Sequence, residues 1–166
     1  MHRISKFFLT FALIAMIHFT AYANNKVGYN EVQKKVQAAA AYLSEQGEKG
    51  LEQFNVDGSP WVFGDTYVFV LNCAEDEMAA HLDKWLIHYK LSDILDEYEN
   101  YLALELCAAA RKPKGWWVEY WWPRPGKTKA MRKISYVLKV PGQPYEVVAG
   151  IYNSDKTVEE LNEMIK

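Results

Sequence analysis

Residues Gly115 to Pro123 read GWWVEYWWP and hold four of the chain's six tryptophans. Lys112-Pro113-Lys114-Gly115 precedes the run and Pro123-Arg124-Pro125-Gly126 closes it, so an aromatic segment lies between two turn-forming clusters. That pattern predicts a β-strand rather than a helix. In an extended chain alternate side chains point to opposite faces, which sets Trp117, Glu119 and Trp121 on one side and Trp116, Val118, Tyr120 and Trp122 on the other. Apolar rings on both faces require cover on both faces. The strand therefore belongs to a sheet covered on both faces, which is either plain core or the floor of a pocket.

Two further strands follow at short distance. Met131 to Val140 and Tyr145 to Tyr152 are separated from the first strand and from each other by Pro123–Lys127 and Pro141–Pro144. Connections this short force antiparallel neighbours, giving a three-stranded meander. Upstream, Tyr29, Val32, Val36, Ala39 or Ala40 and Leu43 recur at helical spacing up to Gly47, a natural stop. Asn30, or one of Asn24 and Asn25, is the candidate cap. Glu48 to Phe54 adds a short helical turn, and after the loop Asn55–Pro60 the segments Trp61–Phe63 and Asp65–Leu71 read as strand. Between Asn72 and Gly115, Leu82, Trp85, Leu86 and Tyr89, then Tyr98, Tyr101, Leu102, Leu106 and Ala109, are spaced for a mostly helical crossover. Helix, strands, crossover and meander together define an α+β fold, a long N-terminal helix on an antiparallel sheet.

The chain's 166 residues suit one domain of ordinary size. Its start has the form of a signal peptide over residues 1–23: basic His2, Arg3 and Lys6, an apolar run from Phe7 to Phe19, and the small-x-small site Ala21-Tyr22-Ala23. An uncleaved anchor is the alternative, though the run is shorter than the roughly 20 residues that span a bilayer. Cleavage after Ala23 leaves residues 24–166 with 17 Lys and Arg against 21 Asp and Glu, a balance of −4. Such a surface does not attract nucleic acid, and no later apolar run predicts a membrane span. The expected location is periplasmic or secreted. Export makes a disulfide between Cys73 and Cys107 chemically possible, with two buried thiols the alternative.

Five strings, in order along the chain, resemble a known family. They are Gly64-Asp65-Thr66-Tyr67-Val68-Phe69-Val70, Ala80-His81, Trp117-Val118-Glu119-Tyr120 with Trp122-Pro123, Lys133-Ile134-Ser135-Tyr136-Val137, and Gly150-Ile151-Tyr152. Together they resemble the single Cache domains of the second type, extracellular sensor modules with a PAS-like fold. Two places depart from the family's pattern: Leu82 and Asp83 follow the histidine where a proline is usual, and Asp93 to Asn100 replaces a Gly-containing acidic turn.

The resemblance implies a sheet with the long helix on one face and, on the other, a cavity under the crossover that binds a small organic acid. It also implies an output partner such as a membrane receptor or kinase, because this chain looks like the exported, stand-alone form. Lys133 is the leading candidate for holding a carboxylate, with Tyr120 and Tyr136 as hydroxyl donors and Tyr67, His81 and Trp117 completing the set. Lys133 and Tyr136 fall on opposite faces of a regular strand, so both line one cavity only if a bulge intervenes. Glu119 is expected at an exposed edge, and His88 in solvent. No phosphate loop, metal-spaced His/Cys cluster, nucleophile elbow or CxxC is present, and neither an enzyme nor a cofactor is expected. The competing reading is an interaction module that has lost its pocket and docks a partner through the Trp-rich strand or the altered crossover.

Overall fold

The computed structural model describes residues 27–165, so the expected signal peptide lies outside the described residues. Helix α1 (Tyr29–Gln46) buries the apolar stripe Val32, Val36, Ala39, Ala40 and Leu43. Gly28 is its N-cap, with no side-chain cap, and Asn30 sits inside the first turn, which corrects the asparagine assignment. Gly47 ends the helix at φ 57°, donating its N–H to Leu43. A 3-10 segment, Gly47–Asn55, leads to strands β1 (Val62–Phe63) and β2 (Thr66–Asn72). Strands β4 (Trp116–Pro123), β5 (Ala130–Lys139) and β6 (Glu146–Tyr152) form the expected meander.

The sheet runs β1-β2-β6-β5-β4, every pair antiparallel, with β3 (Glu77–Ala80) on the same outer edge of β2 as β1. Because β3 ends at one edge of the sheet and β4 begins at the other, the chain between them must cross the sheet. It crosses the face that α1 leaves open. This crossover is less helical than its periodicity suggested. Its helix is α2 (Leu102–Ala109), while the first part consists of β3 and the 3-10 turns Lys84–Leu86 and Leu91–Asp93. Asp76, His88 and Glu99 at positive φ break any longer helix there.

Two cores result, divided by strand parity. One packs α1 against Val68, Val70, Ile134, Val147, Ala149 and Ile151. The other packs the crossover, through Leu86, Leu91, Ile94, Leu102 and Leu106, against Phe69, Leu71, Val118, Val137 and Val148. Cys73 and Cys107 are bonded, tying the end of β2 to α2 across 34 residues of chain.

Helix α3 (Val158–Glu163) has no counterpart in the helical spacing read from the sequence, although Thr157-x-x-Glu160 forms a full capping box, a legible start signal. It seals the outer edge of β4: Asn162 Oδ1 accepts from the Trp117 N–H at 2.8 Å and its Nδ2 donates to the Trp117 carbonyl at 3.0 Å. The amide thus takes the place of a neighbouring strand. Asn162→Ala would strand both buried backbone groups, and a loss of roughly 1–3 kcal/mol is expected in a urea titration, against near neutrality if water replaces the amide.

Candidate functional site

Strict alternation along β4, β5, β2 and β6 decides which side chains meet under the crossover. Pairing between β4 and β5 is unbroken from Trp116↔Val137 to Pro123↔Ala130, so no bulge intervenes. Lys133, Ser135 and Val137 therefore face the crossover, while Ile134 and Tyr136 face α1. Of the six candidate residues, Tyr67, His81, Tyr120 and Lys133 come together in one cavity. Trp117 and Tyr136 do not: they pack on each other at 5.2 Å in the α1 core, and the Tyr136 hydroxyl donates to the Lys114 carbonyl. The even-numbered face of the Trp-rich strand is the one that lines the cavity, through Tyr120 and Trp122.

Lys133 lies at the centre. It is fully buried, and its Nζ has no hydrogen-bond partner. Instead it sits over rings: 4.7 Å from the centroid of Tyr67, 5.1 Å from Tyr152, 5.4 Å from Phe69 and 5.9 Å from Tyr120. Such contacts favour the cation but do not replace its water. Burial brings the amine down to about 7, against the weaker pull of the Asp65 and Asp83 carboxylates in the other direction. Gly150 on β6 makes room for this side chain. A Cβ there would lie 2.2 Å from Ser135 Oγ and 2.9 Å from Lys133 Cε, too close for any other residue.

The hydroxyls around the amine have definite roles. His81 Nδ1 accepts the Asp83 N–H at 2.9 Å, which leaves the ring proton on Nε2. Nε2 is 3.0 Å from the Tyr67 hydroxyl and donates to it, so the Tyr67 proton is free for another acceptor. Burial, and secondly the charge of Lys133, depress His81 to about 3, so it stays neutral. Tyr120 pairs with Ser135 at 2.7 Å. Burial pushes the Tyr67 and Tyr120 phenols well up, so they serve as neutral donors.

The wall is completed by Trp122, one of the tryptophans from which a pocket wall was expected, and by residues the sequence did not single out as site candidates: Phe69, Met78, Leu86, Ile94 and Leu102. Phe69 and Trp122 were reachable by parity, two positions from Tyr67 and Tyr120. The crossover residues were not, since nothing local says which of them turn inward. The space left is about 10 Å³ open to the centre of a water molecule, room for about one water.

Elsewhere, Glu119 is half-buried and paired with Arg132 at 2.7 Å. Asp96, set against the cost of burial, is held below the usual carboxylate range by hydrogen bonds from Asn100, Tyr98 and Trp121, and it fastens the 93–100 turn to the edge of β4. His88 is exposed and bonded to Glu77.

The described residues thus form a helix-backed antiparallel sheet with a small cavity around the buried Lys133 under the crossover, and comparison with known proteins places this architecture in a family. The Cache domain family model matches residues 61–156, and the chain belongs to that family. Among solved structures it resembles a periplasmic sensor domain of a chemotaxis protein, 28% identical with a TM-score of 0.60, over 75% of this chain and 97% of that one. It also resembles in fold a methyl-accepting chemotaxis protein from Vibrio parahaemolyticus, 18% identical with a TM-score of 0.57, over 74% and 81% of the two chains. A Cache chemosensory domain that recognises carboxylic acids is similar in fold, 20% identical with a TM-score of 0.59 over 75% of this chain and 90% of that one. No curated protein matches. No helix among the described residues is long and apolar enough to cross a membrane.

Proposed function

We propose that this protein is an exported, periplasmic Cache sensor that binds a short organic acid in the Lys133 cavity. The observation that carries the reading is the buried, unpartnered Nζ of Lys133, a cation whose hydrogen-bonding capacity is unused until a ligand arrives. A carboxylate would take a charge-assisted bond from it and a second from the Tyr67 hydroxyl, whose proton the His81 tautomer leaves free. The small free space favours a ligand of few heavy atoms and requires Leu86, Ile94 and Leu102 of the crossover to give way on entry. Trp117 and Tyr136 act as scaffold in this reading, not as contacts.

A thermal-shift series with acetate, propionate, lactate, pyruvate and amino acids tests it. A ligand at 100 times its Kd adds about 2.7 kcal/mol to native stability. Binding is expected to weaken roughly tenfold per pH unit above neutrality, because the amine must hold its proton to pair with the anion. Absence of a shift from every compound, or a shift that survives Lys133→Ala, would remove the site.

A second reading is favoured by the outer face of the crossover. Trp85, Tyr98 and Tyr101 are 69%, 61% and 55% exposed, and along the chain Trp85 adjoins Leu86 and Tyr101 adjoins Leu102, both of which line the cavity. Exposed rings of this kind would suit a receptor or kinase partner. It would stand alone as the function if ligands fail and Trp85→Ala breaks association with that partner.

A further inference from the structure

We propose that the ligand of the Lys133 cavity is a short 2-oxo acid, held covalently and reversibly as an imine on Lys133 Nζ. This rests on the ligand reading above and narrows its chemistry.

The surroundings of Nζ suit an amine nucleophile better than a permanent ammonium. Among the described residues no carboxylate lies within ion-pairing distance of it, and none of its hydrogens has an acceptor. Three unsatisfied donors are a poor setting for a fixed charge, whereas a neutral amine keeps a lone pair free to attack. The amine's depressed basicity supplies that neutral form near physiological pH. What surrounds it is ring face: Tyr67, Phe69, Tyr120 and Tyr152. Ring faces stabilise a weakly hydrated, delocalised cation, and a protonated imine is such a cation. The cavity is also nearly dry, with room for about one water, which slows hydrolysis of the product.

The step balances without any further reagent. The nitrogen lone pair attacks the ligand's carbonyl carbon, a C–N bond forms, and the C=O π pair passes to oxygen. A proton moves from nitrogen to that oxygen, giving a carbinolamine. The C–O bond then breaks with its electron pair on oxygen, which takes a proton from solvent and leaves as water, while the nitrogen lone pair forms the C=N bond and nitrogen keeps its remaining hydrogen, giving the protonated imine. Tyr67, with its hydroxyl proton free, can hydrogen-bond the oxygen as charge builds on it. No oxidant or reductant is consumed. A 2-oxo acid is favoured over a plain aldehyde because its carboxylate lies next to the new cation, and a buried iminium with no counter-charge would be strongly disfavoured.

The test incubates the exported protein with glyoxylate or pyruvate and sodium cyanoborohydride, followed by intact mass and peptide mapping, with acetate and lactate as non-carbonyl comparators in thermal shift. The expected result is one reduced adduct, on Lys133, lost in Lys133→Arg and lost when the wild-type chain is unfolded in urea. Label on exposed lysines with Lys133 untouched, or equal labelling of Lys133 in the unfolded chain, overturns the imine. Should the acids, oxo acids included, raise the midpoint while no adduct forms, the imine falls and the carboxylate reading stands. If neither shift nor adduct is seen, both fall.

Discussion

Lys133→Met is expected to make the unliganded protein more stable while abolishing its response to carboxylates. The folded state takes the amine down to about 7, whereas the unfolded chain keeps the ordinary value of 10.5. Below pH 7 the native protein therefore carries the full cost of a buried charge. As pH rises from 7 towards 10.5 the native amine is neutral while the unfolded one still binds its proton, so stability rises through that window. Methionine fills a similar volume with no charge, and replacements of this kind stabilise by roughly 1–4 kcal/mol. For a domain of this size that is about 4–15 °C in Tm. The gap between variant and wild type should be widest at pH 6 and shrink towards pH 10. Calorimetry across that range gives the measurement. A variant less stable than wild type at pH 6 would mean that Lys133 holds the core together, and the case for a residue kept for its ligand would be lost.

Removing the Cys73–Cys107 bond is expected to cost about 3–4 kcal/mol in the chain-entropy account of a loop of 34 residues. The loss should be uneven. The bond ties α2 to the end of β2, and α2 is the part of the crossover that packs Leu102 and Leu106 over the sheet. Hydrogen exchange in a Cys73→Ala, Cys107→Ala protein should accelerate first in residues 84–110, with α1 and β6 retaining protection longest. Ligand affinity should fall as well, because Leu102 closes the cavity. A midpoint within about 1 kcal/mol of wild type would show that apolar packing alone holds the crossover.

Both predictions depend on the second core, the part of the molecule least legible in the sequence. The meander, the long helix and its stop at Gly47 could be read because each is declared locally, by alternation, by helical spacing or by a glycine able to take positive φ. The crossover is built otherwise. Its turns are held by side chains acting at a distance: Asp76 accepts from the Ser92 N–H and hydroxyl, and Asp96 accepts from Trp121 across 25 residues. No periodicity records such contacts. Strand β3 is four residues long and alternates only between half-buried and buried, too weak a pattern to separate from the helical spacing around it. Helix α3 was different, since its capping box was present in the sequence at Thr157 and Glu160.

The candidate site divides along the same line. Local geometry already required that Lys133 and Tyr136 part company unless the strand bulged, and the unbroken register of β5 with β4 parts them. The sequence reading pointed to Lys133 with Tyr67, His81, Trp117, Tyr120 and Tyr136, and folding brings Tyr67, His81, Tyr120 and Lys133 together while Trp117 and Tyr136 go to the α1 core. By itself, then, the sequence determined the strands outside the crossover, their order in the meander, and the two sets of side chains on the GWWVEYWWP strand. Alternation is a property of the extended backbone and needs no partner to be true. Only the tertiary structure decided which set would meet a ligand. That choice depends on where the crossover lies, and the crossover was free to cover only the face that α1 had left open.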